Sequence, residues 1–247
     1  MVKTIARNLA RRFGYEVFGP PRAFANQRSL AGLLLQERIN LVLDVGANTG
    51  QFAAELRDSG YREKIVSFEP LQRAHEQLCR QAAADPNWEV ADRTAVGDVT
   101  GSIQMHVSQN SVSSSILEML PSHLQAEPRS SYIGTESVPM GRLDDLSTHD
   151  PADRVLLKID VQGYEKQVLD GAPRLLKTCR AVISEMSLVP LYEGQVLASE
   201  LWDILAVHGF EPWSIEPGFR DPGTGRMLQV DGIFVRRAAV ESHEPSL

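Results

Sequence analysis

The sequence predicts an α/β fold with a mostly parallel sheet and helices on both of its faces. From residue 41 onward, short apolar runs alternate with stretches of helical periodicity, which is the pattern of successive strand–helix–strand units. Small residues follow the first apolar run, as in the ligand-binding turns of parallel sheets. The last two apolar runs flank the Pro- and Gly-rich stretch 217–225 and predict a closing antiparallel hairpin.

Each predicted strand is a short apolar run, and each predicted helix carries apolar residues on one face. The strands cover residues 41–45, 64–68, 88–90, 101–107, 154–159, 181–185, 210–215 and 230–235. The helices cover residues 48–59, 71–84, 165–176 and 196–208. Gly60 ends the first of these helices, and Asp85-Pro86 ends the second. The helices thus fall where the crossover connections of a parallel sheet are needed.

Composition and charge exclude several classes of protein. The chain has 247 residues, of which 43% are hydrophobic, so it can bury a core without a metal or disulfide. Its net charge of −7 argues against general nucleic-acid binding. Cys79 and Cys179 have no CxxC spacing, so neither a disulfide framework nor a zinc site is expected. Without an apolar run of about 20 residues or a secretory signal, the chain is expected to be cytoplasmic.

The chain ends are expected to differ from the main domain at 39–237. Residues 1–38 predict a helical accessory segment: residues 1–30 carry a net charge of +5, and Ile5, Leu9 and Phe13 recur at helical spacing. Such a basic helix either contacts anionic lipid or a partner, or packs across the domain with its basic face in solvent. Residues 238–247 predict a flexible tail.

A Ser- and Pro-rich stretch at 108–135 interrupts the alternation inside the domain. A segment of this length is usually functional, so it predicts a substrate lid or an insert.

The turn after the first strand is the first candidate ligand site. Gly46 and Gly50 bracket it, and small residues let the backbone approach a ligand closely. Asp44 at the strand end could reach a cationic or hydroxyl group of that ligand, or orient the loop. A dinucleotide site requires GxGxxG, but Asn48 and Gln51 occupy the second and third glycine positions. S-adenosylmethionine has no phosphate and suits this looser loop better.

Glu69 ends the second strand, 23 positions after Gly46. That separation is near the roughly 20 residues at which an acidic residue binds ribose hydroxyls, and a carboxylate can accept from two vicinal hydroxyls. The alternative is a helix-cap carboxylate favoured by the helix dipole. The loop upstream favours ribose binding.

Five motifs in order carry a family resemblance between Leu41 and Arg236. They are LDVGANTGQF at 43–52, SFEP at 67–70, AVGD at 95–98, RLDDL at 142–146 and LKIDVQGYE at 157–165. With them the chain resembles the FkbM-type methyltransferases. The resemblance implies a class I methyltransferase fold, Rossmann-like with a seven-stranded sheet. It also implies methyl transfer from S-adenosylmethionine to oxygen in sugars, glycolipids or polyketide-type products of secondary metabolism.

The resemblance also implies site residues. It matches cofactor positions to Gly46, Asn48, Gly50 and Glu69, and it matches Asp160 to the active-site end of its strand. The further candidates for cofactor contact are Asp44, Ala47, Pro70, Ala95 and Asp160.

The chain departs from the family pattern before AVGD. The family often has Asn two residues before the Ala, where this chain has Arg93. The adenine-edge contact is therefore reassigned to Asp92.

Methyl transfer to an alcohol needs a general base or a metal. Asp160 follows a buried strand and is the first candidate for base or substrate-orienting group; Glu185 follows the next strand, and Asp231 could join them. Alternatively, Asp160 caps the following helix and Glu185 pairs with an arginine. Among the histidines, His106 is the best-placed base, because it leads into the Ser-rich stretch. A carboxylate cluster could also bind Mg²⁺, although no metal-specific spacing is present.

The acceptor is not encoded in a readable motif. A small-molecule or glycoconjugate hydroxyl is expected, set by 108–135, the N-terminal helix and the 214–229 loop. An amine or protein acceptor, or a cofactor-binding module without catalysis, are the alternatives. The oligomeric state is left open.

Overall fold

A computed structural model describes residues 27–237 of the chain. The predicted basic helix around Ile5, Leu9 and Phe13 and the predicted tail at 238–247 lie outside these residues. Within them, no helix has both the length and the apolar character needed to cross a bilayer.

Ten strands and eight α-helices form the described part of the chain. The strands are β1 (Leu41–Val45), β2 (Lys64–Phe68), β3 (Trp88–Val90), β4 (Ala95–Gly97), β5 (Gly101–Ser108), β6 (Tyr132–Arg142), β7 (Val155–Ile159), β8 (Ala181–Ser187), β9 (Phe210–Pro217) and β10 (Gln229–Arg236). The helices are α1 (Gln27–Gln36), α2 (Gln51–Asp58), α3 (Gln72–Ala82), α4 (Pro121–Ala126), α5 (Leu143–Leu146), α6 (Glu165–Asp170), α7 (Leu175–Thr178) and α8 (Ala198–Val207).

The main sheet has seven strands in the order β3-β2-β1-β7-β8-β10-β9. The first five are parallel, and β10 runs antiparallel to both β8 and β9. The predicted mostly parallel sheet with a closing antiparallel hairpin is therefore confirmed. The chain leaves β1 towards β2 and β3 and later returns to β7 on the other side of β1. This reversal is the switch point of the sheet, where ligands bind at the carboxyl ends of the strands.

The core has two layers, one on each face of the sheet. All residues of β1 and β7 are buried, which explains their unbroken apolar runs. Leu33 of α1, Leu56 of α2 and Leu78 of α3 pack on one face. The opposite face is covered by α6, α7 and α8, which contribute Val168, Leu176, Leu201 and Leu205. The predicted helices on both faces are confirmed.

A second sheet of three strands, in the order β4-β6-β5, was not predicted in full. Strand β6 contains Gly134, Pro139 and Gly141 among polar residues, so its apolar signal is weak. It nevertheless pairs along its length with β5. Between them, the predicted insert 108–135 contains a loop, α4, a 3₁₀ turn at Pro128–Ser130 and the start of β6.

The helix predicted at 165–176 is divided into α6 and α7, and this prediction was wrong. Pro173 lies between them and has no N–H to donate in a continuous helix. Gly171 also passes so close to β4 that a Cβ there would lie 1.9 Å from the Gly97 carbonyl oxygen. The helix predicted from residue 48 begins at Gln51, because Gly46, Asn48 and Gly50 all have positive φ angles.

Candidate active site

A cavity of about 480 Å³ opens at the carboxyl ends of β1, β2, β7 and β8, beside the switch point. Its size suits a ligand of several hundred daltons. The predicted site residues in its lining are Asp44, Gly46, Ala47, Asn48, Glu69, Pro70, Ala95, Asp160 and Glu185. Asp231 lines the same cavity. The structure thus brings together residues that lie in or next to six strands and are far apart in sequence.

The glycine loop packs directly against the end of β7. Gly46 has a φ of +81°, and a Cβ there would lie 1.8 Å from the Asp160 carbonyl oxygen. Gly46 and Ala47 also donate backbone hydrogen bonds to the Phe68 carbonyl. The loop is therefore fixed between β2 and β7, and Gly46, Ala47 and Asn48 line the cavity.

Glu69 is 4% exposed and joins this loop to β2. Its carboxylate accepts hydrogen bonds from the Asn48 amide, at 2.8 Å, and from the Leu71 amide, at 2.8 Å. Burial raises the pKa of Glu69 to about 7, and the two amide bonds oppose that rise. Within residues 27–237, these bonds use two of the roughly four acceptor positions of a carboxylate. The others suit the vicinal hydroxyls of a ribose.

Asp44 is fully buried at the floor of the cavity. Its Oδ2 accepts from Ser67 Oγ at 3.4 Å, whereas Oδ1 has no hydrogen-bond partner among the described residues. Burial raises the pKa of Asp44 to about 6, against the opposing charge of Lys158. An unpaired buried oxygen is costly unless a ligand satisfies it. A cationic ligand group, such as the ammonium or sulfonium of S-adenosylmethionine, fits this position.

Lys158 was not identified from the sequence, yet it is the central cation of the cavity. Its Nζ lies 3.1 Å from Asp160 Oδ2 and 5.5 Å from the centre of the Phe52 ring. Burial favours the neutral amine, but the charges of Asp160, Asp44 and Asp231 outweigh it and raise the pKa of Lys158. Lys158 is therefore an ammonium ion rather than a base. A lysine within an otherwise apolar strand was the signal that could have revealed it.

Asp160, Glu185 and Asp231 converge as the sequence suggested. The Gln162 amide nitrogen donates to Asp160 Oδ1 at 2.8 Å and to Glu185 Oε2 at 2.7 Å. Asp231 lies opposite Glu185 in the β8–β10 pairing. Burial, followed by the charges of Asp160 and Asp231, raises the pKa of Glu185 well above its usual range. Burial raises the pKa of Asp231 to about 6, against the charge of Lys158.

The Asp160 carboxylate is only partly buried in the cavity wall. Its side chain is 34% exposed, whereas that of its partner Lys158 is 7% exposed. An acceptor that enters the cavity can reach Asp160, and Lys158 supports the carboxylate from behind.

Three predicted site residues are not part of the described lining. Gly50 has a φ of +97° and faces Trp88, whose ring would lie 2.8 Å from an added Cβ, so it shapes the loop from outside the cavity. Asp92 is exposed between β3 and β4, and Thr94 lines the cavity in its place.

His106 is the third residue outside the lining. It follows Met105, which faces the cavity, and successive side chains of a strand point to opposite faces. Its Nε2 lies 3.3 Å from Glu118 Oε1, and its ring stacks on Tyr132 at 4.7 Å. The position of His106 therefore gives no geometric support to the prediction that it is the general base.

Two segments that were expected to set the acceptor cover the rest of the cavity. From the Ser-rich stretch, Ser111 and Val112 reach it. From the β9–β10 loop, Phe219 reaches it, and this ring also packs on His123 at 5.3 Å. These two segments thus add apolar as well as polar groups to the cavity lining.

Metal ligation has little support in the described part of the chain. Within residues 27–237, no group of three or more His, Cys, Asp or Glu side chains has an arrangement that could hold a metal ion. The carboxylates of the cavity are instead bonded to Lys158 and to side-chain amides.

Comparisons with known proteins agree with the motifs. The family model described as "Methyltransferase FkbM domain" matches residues 44–212. The 2-O-methyltransferase NoeI of Sinorhizobium fredii (strain NBRC 101917 / NGR234) is 28% identical over 203 residues, which cover 79% of this chain and 82% of that protein.

Solved structures with a similar chain path include two methyltransferases. Magnesium protoporphyrin IX methyltransferase (ChlM) of Synechocystis PCC 6803, with bound S-adenosylmethionine, has a TM-score of 0.47 at 14% identity, covering 95% of this chain and 97% of that one. A putative S-adenosylmethionine-dependent methyltransferase of Listeria monocytogenes has a TM-score of 0.48 at 10% identity, covering 87% and 99%. Neither similarity bears on the acceptor.

Proposed function

Because this chain belongs to the FkbM family of methyltransferases and is an S-adenosylmethionine-dependent enzyme, we propose that it methylates a hydroxyl oxygen of a sugar, a glycolipid or a polyketide-type metabolite. The observation that carries the proposal is the carboxylate pair Asp160 and Glu185, bridged by Gln162 beside the glycine loop. The similar protein named as a 2-O-methyltransferase supports transfer to oxygen.

The residues around the glycine loop are proposed to hold the cofactor. Glu69 accepts from the ribose hydroxyls. The loop backbone, whose amides already donate within the protein, packs along the amino-acid end. Asp44, with its unpaired Oδ1, provides negative charge for a cationic group. When bound, S-adenosylmethionine supplies a methyl group on a positively charged sulfur, and positioning contributes much of the rate of its transfer.

The carboxylates at the ends of β7 and β8 are proposed to activate the acceptor. A hydroxyl is a weak nucleophile at neutral pH and needs a base within hydrogen-bond reach. Asp160 orients the hydroxyl and takes its proton as the methyl group passes from sulfur to oxygen, so that the sulfur–carbon bond breaks and a thioether is left. Lys158, 3.1 Å from Asp160 Oδ2, remains charged and holds this carboxylate in its orientation. The proton finally passes to solvent or to Glu185, whose raised pKa makes it a suitable proton holder.

Phe219 and Val112 are proposed to form the acceptor side of the cavity. An aromatic face next to carboxylates suits a sugar ring, which presents apolar C–H groups and hydroxyls together. It equally suits a hydroxylated polyketide ring. The charged floor and partly apolar wall match the acceptor classes expected from the family.

The proposal is tested with S-adenosylmethionine carrying a tritiated methyl group. The full chain is incubated with methyl glycosides, a glycolipid, a hydroxylated macrolactone, benzylamine and a lysine-containing peptide. Label in an alkali-stable methyl ether is expected, and Asp160→Asn should abolish most of it. Label only on the amines, in an alkali-labile methyl ester, or on none of the hydroxyl probes would contradict the proposal. Gln104→Asn, on the exposed surface of β5, is the control for handling and folding.

A further inference from the structure

Gln162 occupies a backbone position that glycine would adopt more easily. It lies in the turn between β7 and α6 with a φ of +54°, and Gly163 follows with a φ of +98°. Residues with a Cβ rarely adopt this conformation. The turn is stabilised by Glu165, whose Oε1 accepts from the Gly163 amide at 3.0 Å and the Val161 amide at 3.3 Å. Strained backbone positions cluster at functional sites, so the conformation of Gln162 suggests a functional role for its side chain.

Both ends of the Gln162 amide are engaged inside the cavity. Its nitrogen donates to Asp160 Oδ1 and Glu185 Oε2, and its Oε1 lies 2.8 Å from the Tyr192 hydroxyl. The Asp160 and Glu185 carboxyl groups already accept from Lys158 Nζ and Gln229 Nε2, and as acceptors they fix which end of the Gln162 amide faces them. The Tyr192 hydroxyl must then donate to Oε1. The amide orientation follows from chemistry and leaves neither N–H without a partner.

A hydrogen-bond donor between Asp160 and Glu185 offsets the repulsion between two adjacent carboxylates. Glu185 faces like charges from β7, α6 and β10, and one cation. These groups are Asp160, Glu165, Asp231 and Lys158. The Tyr192 hydroxyl lies beside them, and Gln229 Nε2 donates to Glu185 Oε2 at 2.7 Å. Hydrogen bonds to the charged form of a carboxylate oppose the effect of burial and like charge. Gln162 supplies one such bond to each member of the pair.

Gln162 also connects the carboxylates to the Ser-rich stretch. Ser115 Oγ donates to the Gln162 carbonyl oxygen at 2.7 Å and accepts from the Leu117 amide at 3.0 Å. The Tyr192 hydroxyl also lies 3.2 Å from the Ser113 carbonyl oxygen. Because Ser111 and Val112 of the same stretch line the cavity, the position of this covering segment and that of the carboxylates are linked through one residue, Gln162.

We propose that Gln162 is a positioning residue of the methyl-transfer site. Its side-chain amide keeps the Asp160 and Glu185 carboxylates adjacent, and its backbone carbonyl, which accepts from Ser115 Oγ, joins them to the covering segment. This inference rests on the proposed function, since it assigns Gln162 to the carboxylates that receive the hydroxyl proton.

The test uses Gln162→Met, which keeps the side-chain length and removes the amide, and Gln162→Glu, which restores a donor only when protonated. Rates are measured from pH 6 to 9 with the hydroxyl probe that accepts the tritiated methyl group in the assay proposed above. For Gln162→Met, kcat is expected to fall about 10- to 100-fold, the effect of losing hydrogen bonds to a charged group. The KM for S-adenosylmethionine should stay within about twofold, and the acid limb of the pH profile should move up by about one unit.

For Gln162→Glu, the rate relative to wild type is expected to be highest at the acid end and to fall as pH rises. The matched controls are Gln104→Met and Gln104→Glu on exposed β5, which should keep wild-type kcat and pH profile. An unchanged kcat and pH profile in Gln162→Met would overturn the inference. A parallel loss of cofactor affinity, Tm and rate would also overturn it, because that pattern marks a purely structural role.

A second measurement separates this inference from the proposed function. The protein is labelled with ¹³C at the glutamate Cδ atoms, and the Glu185 resonance is assigned with Glu185→Gln. In Gln162→Met the Glu185 carboxyl is expected to titrate at higher pH than in wild type, whether or not a hydroxyl acceptor has been found. Identical titration in both proteins would overturn the role of Gln162. Absence of transfer to any hydroxyl probe, with a shifted titration, would overturn the acceptor class alone.

Discussion

The backbone amide of Asn48 donates a hydrogen bond of 2.8 Å to Glu69 Oε2. This bond makes the glycine loop and the acidic residue of β2 one unit, although 21 positions separate them in the sequence. Any ligand that bonds to the Glu69 carboxylate therefore bonds to a group whose position the loop already determines. Such preorganisation lowers the entropic cost of binding.

Cofactor affinity should depend on pH through Glu69. Its pKa lies near 7, so the carboxylate that accepts from ribose hydroxyls forms as pH rises from 6 to 8. We expect wild type to bind S-adenosylhomocysteine about tenfold more tightly at pH 8 than at pH 6, as a titration of one group with this pKa requires. Glu69→Gln should bind about 10- to 100-fold more weakly at pH 8 and lose most of this pH dependence.

Calorimetry at the two pH values measures both effects. Glu89→Gln changes the same chemical group on exposed β3, away from the cavity, and is the matched control. If Glu69→Gln keeps the full pH dependence of wild type, another group is responsible and the ribose assignment fails.

The kcat values of variants should show whether Asp160 or His106 is the general base. Asp160→Asn is expected to lower kcat by a factor of about 10² to 10⁴, the usual contribution of a general base, while S-adenosylhomocysteine affinity changes less than about threefold. His106→Ala should keep wild-type kcat, because that ring stacks on Tyr132 outside the cavity. Steady-state rates of the two variants, compared at equal cofactor saturation, decide between them. A large loss of kcat in His106→Ala would restore it as a candidate base.

Stability should fall as pH rises through the titration of Asp44. The pKa of this carboxyl is about 6 in the folded protein, against 3.8 for an unperturbed aspartate as in the unfolded chain. Between these pH values the folded chain therefore binds more protons than the unfolded chain. The free energy of unfolding therefore decreases with rising pH across that window. Asp44→Asn removes this term. Relative to wild type, the variant should gain about 1 kcal/mol between pH 5 and 7.5.

Urea unfolding at several pH values measures this difference, and the same protein should bind S-adenosylhomocysteine more weakly. Asp58→Asn, at the end of α2, is the control. Parallel stability curves for Asp44→Asn and wild type would show that Asp44 keeps an ordinary pKa.

The main sheet was predictable because its strands are buried on both faces. In β1 and β7 every residue is buried, so the apolar run coincides with the strand. The same runs predicted that Asp44 and Asp160 leave adjacent strand ends, and the parallel pairing of β1 with β7 puts them there. Where burial alternates with exposure and glycine or proline intervenes, as in β6, no such run exists.

The site was predictable only where a motif and a strand end coincide. Lys158 was missed although Asp160, two positions further on, lies on its side of the same strand end. Asp44 becomes a second partner only through the pairing of β1 with β7. Gln162 was missed because its role depends on a left-handed turn. His106 was predicted as a base because it leads into the Ser-rich stretch. The alternation of side chains along β5 turns it away from the cavity that Met105 faces.

Substitution of Gly46 by alanine should lower the free energy of unfolding by more than its positive φ angle alone would cause. Gly60→Ala tests the cost of positive φ by itself, because Gly60 has a φ of +99° and no atom within 4 Å of an added Cβ. Gly134→Ala is a baseline with neither strain nor contact. We expect Gly60→Ala to cost about 1–2 kcal/mol of unfolding free energy and Gly134→Ala to be neutral or slightly stabilising.

Gly46→Ala adds a contact of 1.8 Å with the Asp160 carbonyl oxygen to the same φ penalty. Because the obstacle is backbone, the loop or the end of β7 must move, and the loss should exceed that of Gly60→Ala by at least about 1 kcal/mol. The folded fraction should also lose kcat, since the movement displaces Asp160 from the acceptor. Thermal unfolding and the rate per folded molecule test the two parts separately. Equal losses in Gly46→Ala and Gly60→Ala would mean that the loop and β7 can separate without harm, and that the position of Asp160 does not depend on this contact.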